Sequence, residues 1–327
     1  VAARAGLGQI RGMRLISRIL RPAALCACLG FTVPTLAHAD EAEALAAALA
    51  RAEAQDWPGA TAAAQGAGAV GADIVLWQRL RAGEGLLGEY EDFAARRPDW
   101  PGLALLRQKG EVAVARSSTP ERVVGYFAGR TPATGGGALA LVRALAALGR
   151  GAEAEAEAMR AWRDLSFEAG DEADLLAMFP QALGQVHLAR LDRLLWDDKR
   201  GEAKRMLPRV SPEWQALAAA RMGLRADVDG VTALVKAVPA AVAGDPGLAY
   251  ERFVWRMRKD LTEDATALIL ERSESAEALG RPEAWAERRA VLARALYRAG
   301  KPQAAYKVAS RHRLAEGTQY ADLEFVA

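Results

Sequence analysis

A tight turn, RAGKP at 298–302, lies between two apolar-striped runs and is the feature that most restricts what this chain can fold into. Upstream of it, Trp285, Leu292, Leu296 and Ala299 recur at helical spacing; downstream, Ala305, Val308 and Ala309 continue a second stripe. Gly300 suits a helix end, and Pro302 suits an early position of the next helix, where a missing N–H costs nothing. Two short helices joined this closely form an antiparallel hairpin. Such a hairpin cannot bury its apolar side alone, so it needs neighbours of its own kind.

The layout recurs. ALAALGRGAEAEAEAMRAW at 144–162 has an apolar helix, a turn at Gly149 to Gly151 and an Ala-rich helix. LDRLLWDDKRGEAKRMLPRV at 191–210 repeats it, with Ala203, Met206, Leu207 and Val210 expected on one face of its second helix. The small residue after each turn admits close helix contact, while Leu and Trp fill the space between hairpins. Alanine and leucine dominate a composition poor in Phe and Tyr, which favours helix over sheet. The expected fold is therefore all-α: a superhelical solenoid of stacked antiparallel helix pairs over residues 40–327, with a looser N-terminal part to about 118.

Residues 1–39 read differently. Arg14, Arg18 and Arg21 follow Met13, an apolar run spans 23–36, and Ala37-His38-Ala39 offers a small-x-small cleavage site before Asp40. This predicts an upstream extension and a secretory signal peptide, hence a periplasmic protein. The run is too short for a stable membrane span. Lipid anchoring through Cys28 is the alternative. Cys26 and Cys28 are the only cysteines, so cleavage would leave a chain without disulfides or thiolate metal sites. The formal charge of +2 also depends on this segment, which holds five arginines and no acid. Without it acidic side chains outnumber basic ones, and composition gives no case for nucleic-acid binding.

Further along, acidic residues near Asp40 are expected at a helix start, GAGAVGAD at 66–73 is expected to break the chain, and Pro98 to Pro101 divides a short helix from a longer one. Thr119 can cap a helix opened by Pro120 and Glu121. Thr131 to Gly137 reads as a loop; its Gly135-Gly136-Gly137 lacks the preceding strand and following Lys-Ser or Lys-Thr of a phosphate loop. Pro180 is expected to open a long helix carrying Leu188, Leu191 and Leu195 on one face, and Ser211 to cap another that starts at Pro212.

Chemistry is hard to place. His187 and His312 stand outside any metal-ligand spacing, no serine sits in a nucleophile elbow, and no cofactor is expected. The pairs Glu283/Glu287 and Asp197/Asp198 read as solvated faces, since general acid catalysis needs a desolvated carboxyl group. The best candidate for contact with a glycan or a partner is Tyr250, Arg252, Arg256 and Arg258, beside Phe253, Trp255 and Lys259. The competing reading makes Phe253 and Trp255 anchors and pairs the cations with Asp260, Glu263 and Asp264.

YERFVWRMRKD at 250–260, PEAWAERRAVLARALYRAGKPQAAYKVASRH at 282–312 and GTQYADLEFVA at 317–327 resemble the N-terminal superhelical region of the soluble lytic murein transglycosylases, as does 187–225. The resemblance implies a ring- or horseshoe-like stack, incomplete at its C-terminus, that scaffolds or targets an enzyme on peptidoglycan. The implied enzyme cleaves between MurNAc and GlcNAc and leaves 1,6-anhydroMurNAc. Its catalytic domain, goose-type lysozyme-like with a Glu-Ser motif, is not matched here, and Glu274-Ser275 lacks the flanking pattern. Implied partners are peptidoglycan, that missing C-terminal domain and other cell-wall proteins. A periplasmic helical-repeat scaffold that binds proteins, with no enzyme domain, is the second expectation. A cytoplasmic adaptor is the third.

Overall fold

The computed structural model describes residues 36–327, and all its regular elements are helical. The leader and Cys28 anchor expected in 1–39 lie outside the described residues, apart from the last few. The chain divides into two compact units, the first ending at Val75 and the second comprising Leu76–Ala327.

In the first unit, α1 (Leu36–Glu53) packs on α2 (Trp57–Ala63), with Ala48, Ala52, Ala60 and Val75 in its core. Asp56 caps α2 by accepting a hydrogen bond from the Gly59 amide at 3.0 Å. Helix α1 starts a turn upstream of the acidic residues that were expected to open it. The break expected over 66–73 is confined to a 3-10 turn at Ala64–Gly66 and one following residue. Helix α3 (Gly68–Ala82) runs through the rest of that stretch.

The second unit continues with α4 (Leu87–Arg96), α5 (Leu103–Val114), α6 (Pro120–Tyr126), α7 (Gly135–Ala147), α8 (Gly151–Asp164), α9 (Ala169–Met178), α10 (Pro180–Gly184), α11 (His187–Trp196) and α12 (Arg200–Met206). It ends with α13 (Pro212–Ala226), α14 (Val231–Lys236), α15 (Pro246–Arg258), α16 (Thr262–Arg272), α17 (Ala276–Leu279), α18 (Pro282–Arg298), α19 (Pro302–Ser310) and α20 (Thr318–Val326). Neighbouring helices pair repeatedly: α7 with α8, α11 with α12, α13 with α14, α15 with α16 and α18 with α19.

Four of those pairs close with the same turn. Gly149, Asp198, Asp260 and Gly300 each take positive φ, between 55° and 73°. The next amide then reaches back over the helix end: Arg150 to the Leu145 carbonyl, Lys199 to Leu194, Leu261 to Arg256 and Lys301 to Leu296, each at 2.9 Å. This is a left-handed C-terminal cap, open to Gly without penalty and to Asp at modest cost. Five residues past each turn residue lies a buried alanine: Ala154, Ala203, Ala265 and Ala305. Seven residues before it lies a buried apolar partner: Val142, Leu191, Phe253 and Ala293. That shared register makes the pairs repeats of one unit.

Other expectations shift. Ala299 is the exposed cap of α18 and adds nothing to its stripe. Met206 ends α12, so Leu207 and Val210 fall on a 3-10 turn and beyond it. Thr119 and Ser211 occupy cap positions without making a side-chain cap bond. The helix expected from Pro180 is two helices, interrupted at Gln185-Val186. All three leucines lie on α11; Leu191 and Leu195 are buried, whereas Leu188, in its first turn, is exposed.

The glycine triplet belongs to the first turn of α7 and not to a loop. A Cβ on Gly135 would lie 2.3 Å from the Ser166 carbonyl oxygen, whereas one on Gly136 would meet only the Asp171 carboxylate at 3.7 Å. Gly135→Ala is therefore expected to cost about 1–3 kcal/mol, because backbone cannot yield. Gly136→Ala should be neutral or stabilise by roughly 0.5–1 kcal/mol through helix propensity. Urea melts of the two variants check this, and equal losses would contradict the packing explanation.

Candidate binding surface

The four residues singled out on α15 do not form an open patch. Tyr250 is wedged between Trp196 and Trp285, with ring centroids 5.3 and 5.4 Å away, and burial raises its pKa above that of a free phenol. The Arg258 guanidinium donates to the carbonyls of Leu224 and Arg225 at the end of α13. Arg256 donates to the Asp264 carbonyl at 2.9 Å. Arg252 is half-buried, which lowers its pKa, and it has no ion-pair partner among the described residues. Trp255 and Lys259 converge on Asp227, at 2.9 and 2.8 Å. Asp260 serves as a turn residue, and Glu263 pairs with Lys301 at 3.2 Å.

Arg258 belongs to a wider pattern that sequence reasoning missed. The last carbonyls of a helix have no partner within it and carry partial negative charge. Here an arginine from a later helix, or for Arg313 from the segment after α19, supplies the donors. Arg190 donates to the Trp162 and Leu165 carbonyls at 2.7 and 2.8 Å, and Arg193 to those of Arg163 and Leu165. Arg225 reaches the Trp196 carbonyl, and Arg313 those of Ser273 and Glu274. Each side chain ties the end of one helix to a residue 25 or more positions later in sequence. The aromatic at two of these ends is covered too, with Arg190 over Trp162 at 4.3 Å and Arg221 over Trp196 at 5.2 Å.

The carboxylates serve the same network. Glu202 and Glu172 face Arg190, Asp192 and Asp245 face Arg221, and Glu251 accepts from Arg225. Burial raises Glu251 and Asp245 above the usual carboxylate range despite those neighbours. Burial also brings Arg190 and Arg289 down to about 10, still protonated at neutral pH. Glu111 occupies the N-terminus of α7, accepting from the Ala133 and Thr134 amides at 2.8 Å each and from the Thr134 hydroxyl. An internal anion thus already fills the position a phosphate would take.

His187 and His312 are structural. His312 holds Glu324 at 2.9 Å through Nε2 and accepts the Leu314 amide at Nδ1. The Trp162 indole N–H donates to His187 Nδ1 at 3.2 Å, which requires an unprotonated acceptor. Burial, then Arg209 and Arg190, hold the His187 pKa below its usual value. Since the unfolded chain protonates first, His187 costs stability as pH falls from about 6.5 toward the folded value, and none above that range. A His187→Gln chain should lose less melting temperature across that window than the parent. Parallel pH curves would contradict this account.

The open surface lies elsewhere. A cleft of about 600 Å³ is lined from α4, α5 and α6, and a second of about 760 Å³ lies between α5 and the segment after α6. They share Arg107, Tyr126 and Arg130. The Tyr126 hydroxyl donates to the Arg107 carbonyl at 2.6 Å, and burial pushes its pKa up to about 12. Arg130 lies over the Tyr126 ring at 5.0 Å and donates to its carbonyl. Arg122 pairs with Glu91 at 2.6 Å on the rim. No sequence signal joined these residues, since they come from separate helices.

Among the described residues, no group of His, Cys, Asp and Glu is arranged to hold a metal ion, and no helix is long and apolar enough to cross a membrane. The chain matches no protein-family model, no curated protein and no solved structure. What defines it is its own geometry: among the described residues, repeated helix pairs, several of them from α8 onward tied at their ends by arginines, with clefts at α4 to α6.

Proposed function

We propose that this chain is a helical-repeat scaffold that binds other polypeptides and performs no chemistry of its own. One observation carries the reading: His187, His312 and the buried Arg190 are engaged in holding the fold together, while clefts lie open between helices. Stacked pairs continuing as a superhelical solenoid would present such clefts along their length. The leader read from 1–39 makes the periplasm its expected compartment.

A second reading, the non-catalytic superhelical part of a periplasmic lytic transglycosylase, rests on the sequence resemblance over 187–225, 250–260, 282–312 and 317–327. It adds a ring- or horseshoe-like course and a targeting role on murein. Many residues behind that resemblance are packing and turn positions, such as Trp285, Leu292, Gly300 and Ala305. Any stacked helix pair needs residues of these kinds, so the resemblance supports the fold more than the activity.

Turnover of purified murein sacculi tests the absence of chemistry common to both readings. The chain is expected to release no soluble muropeptides; 1,6-anhydro products detected by mass would show that one of the carboxylates assigned to structure is catalytic.

A further inference from the structure

We propose that the paired clefts around Tyr126 bind an acidic segment of a protein partner, with Arg107 and Arg130 receiving its carboxylates. This rests on the scaffold reading and specifies its partner. Arg107 has no ion-pair partner among the described residues and is exposed on α5. Arg130 is exposed as well; it spends one nitrogen on the Tyr126 carbonyl and meets no carboxylate in an ion pair among the described residues.

The nearby acids cannot neutralise these two. Glu91 is taken by Arg122, and Glu111 by the start of α7. Guanidinium groups left so are forked donors matched to carboxylates. The surface between them suits a main chain lying close: Ala94, Ala95, Ala104, Gly125 and Gly129 present no bulk, and a Cβ at Gly125 or Gly129 would meet nothing within 4 Å. Because the Tyr126 hydroxyl is anchored to the α5 backbone, its ring is a fixed wall shared by both clefts. An extended segment with acids on both sides of an apolar residue fits this arrangement.

A nucleic acid fits it less well. Two arginines without an ion pair among the described residues, beside two glutamates, make a short, mixed surface and not the continuous basic track that a phosphodiester backbone requires. The body of the chain also carries no positive excess to attract one.

The test pans phage-displayed random peptides over the whole chain and over an Arg107→Gln/Arg130→Gln chain. Selected peptides are resynthesised with a fluorophore, and their affinities measured by anisotropy. Enrichment of Asp and Glu is expected, with binding that weakens with salt and drops about tenfold for each arginine removed. Arg107→Gln alone keeps the test valid if the double variant is unstable, because the Arg107 side chain holds nothing in the fold. An Arg252→Gln chain, altered outside both clefts, should bind like the parent.

Neutral enriched peptides would overturn the acidic partner while leaving a polypeptide scaffold standing. Acidic peptides that ignore the double substitution would overturn the site. Failure to enrich any peptide would count against both readings. Displacement of bound peptide by a mixed-sequence oligonucleotide at lower concentration would reassign the clefts to polyanions and so overturn the proposal.

Discussion

Replacing Arg190 by methionine is expected to destabilise the second unit by about 3–5 kcal/mol, the range for breaking a buried ion pair from one side. Arg190 is fully buried on α11 and satisfies the Trp162 and Leu165 carbonyls together with Glu202 at 3.0 Å. Methionine fills similar volume but donates nothing. The Trp162 carbonyl is then stranded, at about 1–3 kcal/mol, while the Leu165 carbonyl keeps its bond from Arg193, and Glu202 and Glu172 lose a counter-ion. Arg205 still holds Glu172 at 2.8 Å, so the loss falls mainly on Glu202 and the Trp162 carbonyl. The melting temperature should drop by roughly 10 °C in a unit of this size. Adding Glu202→Gln should recover part of the loss, because it removes the stranded charge. A single variant that melts like the parent would show that the arginine ties are ornamental.

Trp285→Ala should have a comparable effect for a different reason. Trp285 is fully buried on α18, stacked on Phe253 at 5.1 Å and edge-on to Tyr250, with its indole N–H donating to the Leu279 carbonyl at 3.0 Å. Truncation empties the junction between α15, α17 and α18, at a cost of about 3–5 kcal/mol from lost transfer energy and residual cavity. Trp285→Phe keeps the stack and loses the hydrogen bond and some volume, so roughly 1–2 kcal/mol is expected. Urea unfolding followed by circular dichroism separates the two. Equal losses would mean that the hydrogen bond, and not the packing, fixes this junction.

These two residues also mark what could be read from the sequence. Trp285 stood out because it began an apolar stripe before RAGKP, and Gly149 and Gly300 announced their turns. Asp198 and Asp260 close equivalent turns with the same back-bond, yet an aspartate reads as a solvated charge. Gly135 to Gly137 read as a loop by propensity, whereas close approach of the Ser166 carbonyl and Glu111 requires small residues inside a helix. Leu188 is exposed because it falls in the first turn of α11, and nothing in the composition at Gln185-Val186 announces that a new helix starts there.

Arg190, Arg193, Arg225 and Arg313 were illegible for a deeper reason. Their acceptors are backbone carbonyls at helix ends, and a carbonyl leaves no mark in an amino-acid sequence. The same holds for Arg107 and Arg130, whose interest is that neither meets a carboxylate in an ion pair among the described residues. Tyr250 and Arg258 were noticed as a surface and turned out to be involved in joining neighbouring helices.

Co-sedimentation with murein sacculi stripped of bound protein tests the central claim most directly. A scaffold for polypeptides should remain in the supernatant at physiological salt, with or without Arg107 and Arg130. Sedimentation of the chain with bare sacculi, saturable and competed by soluble glycan strands, would contradict that claim and favour a murein-targeting module.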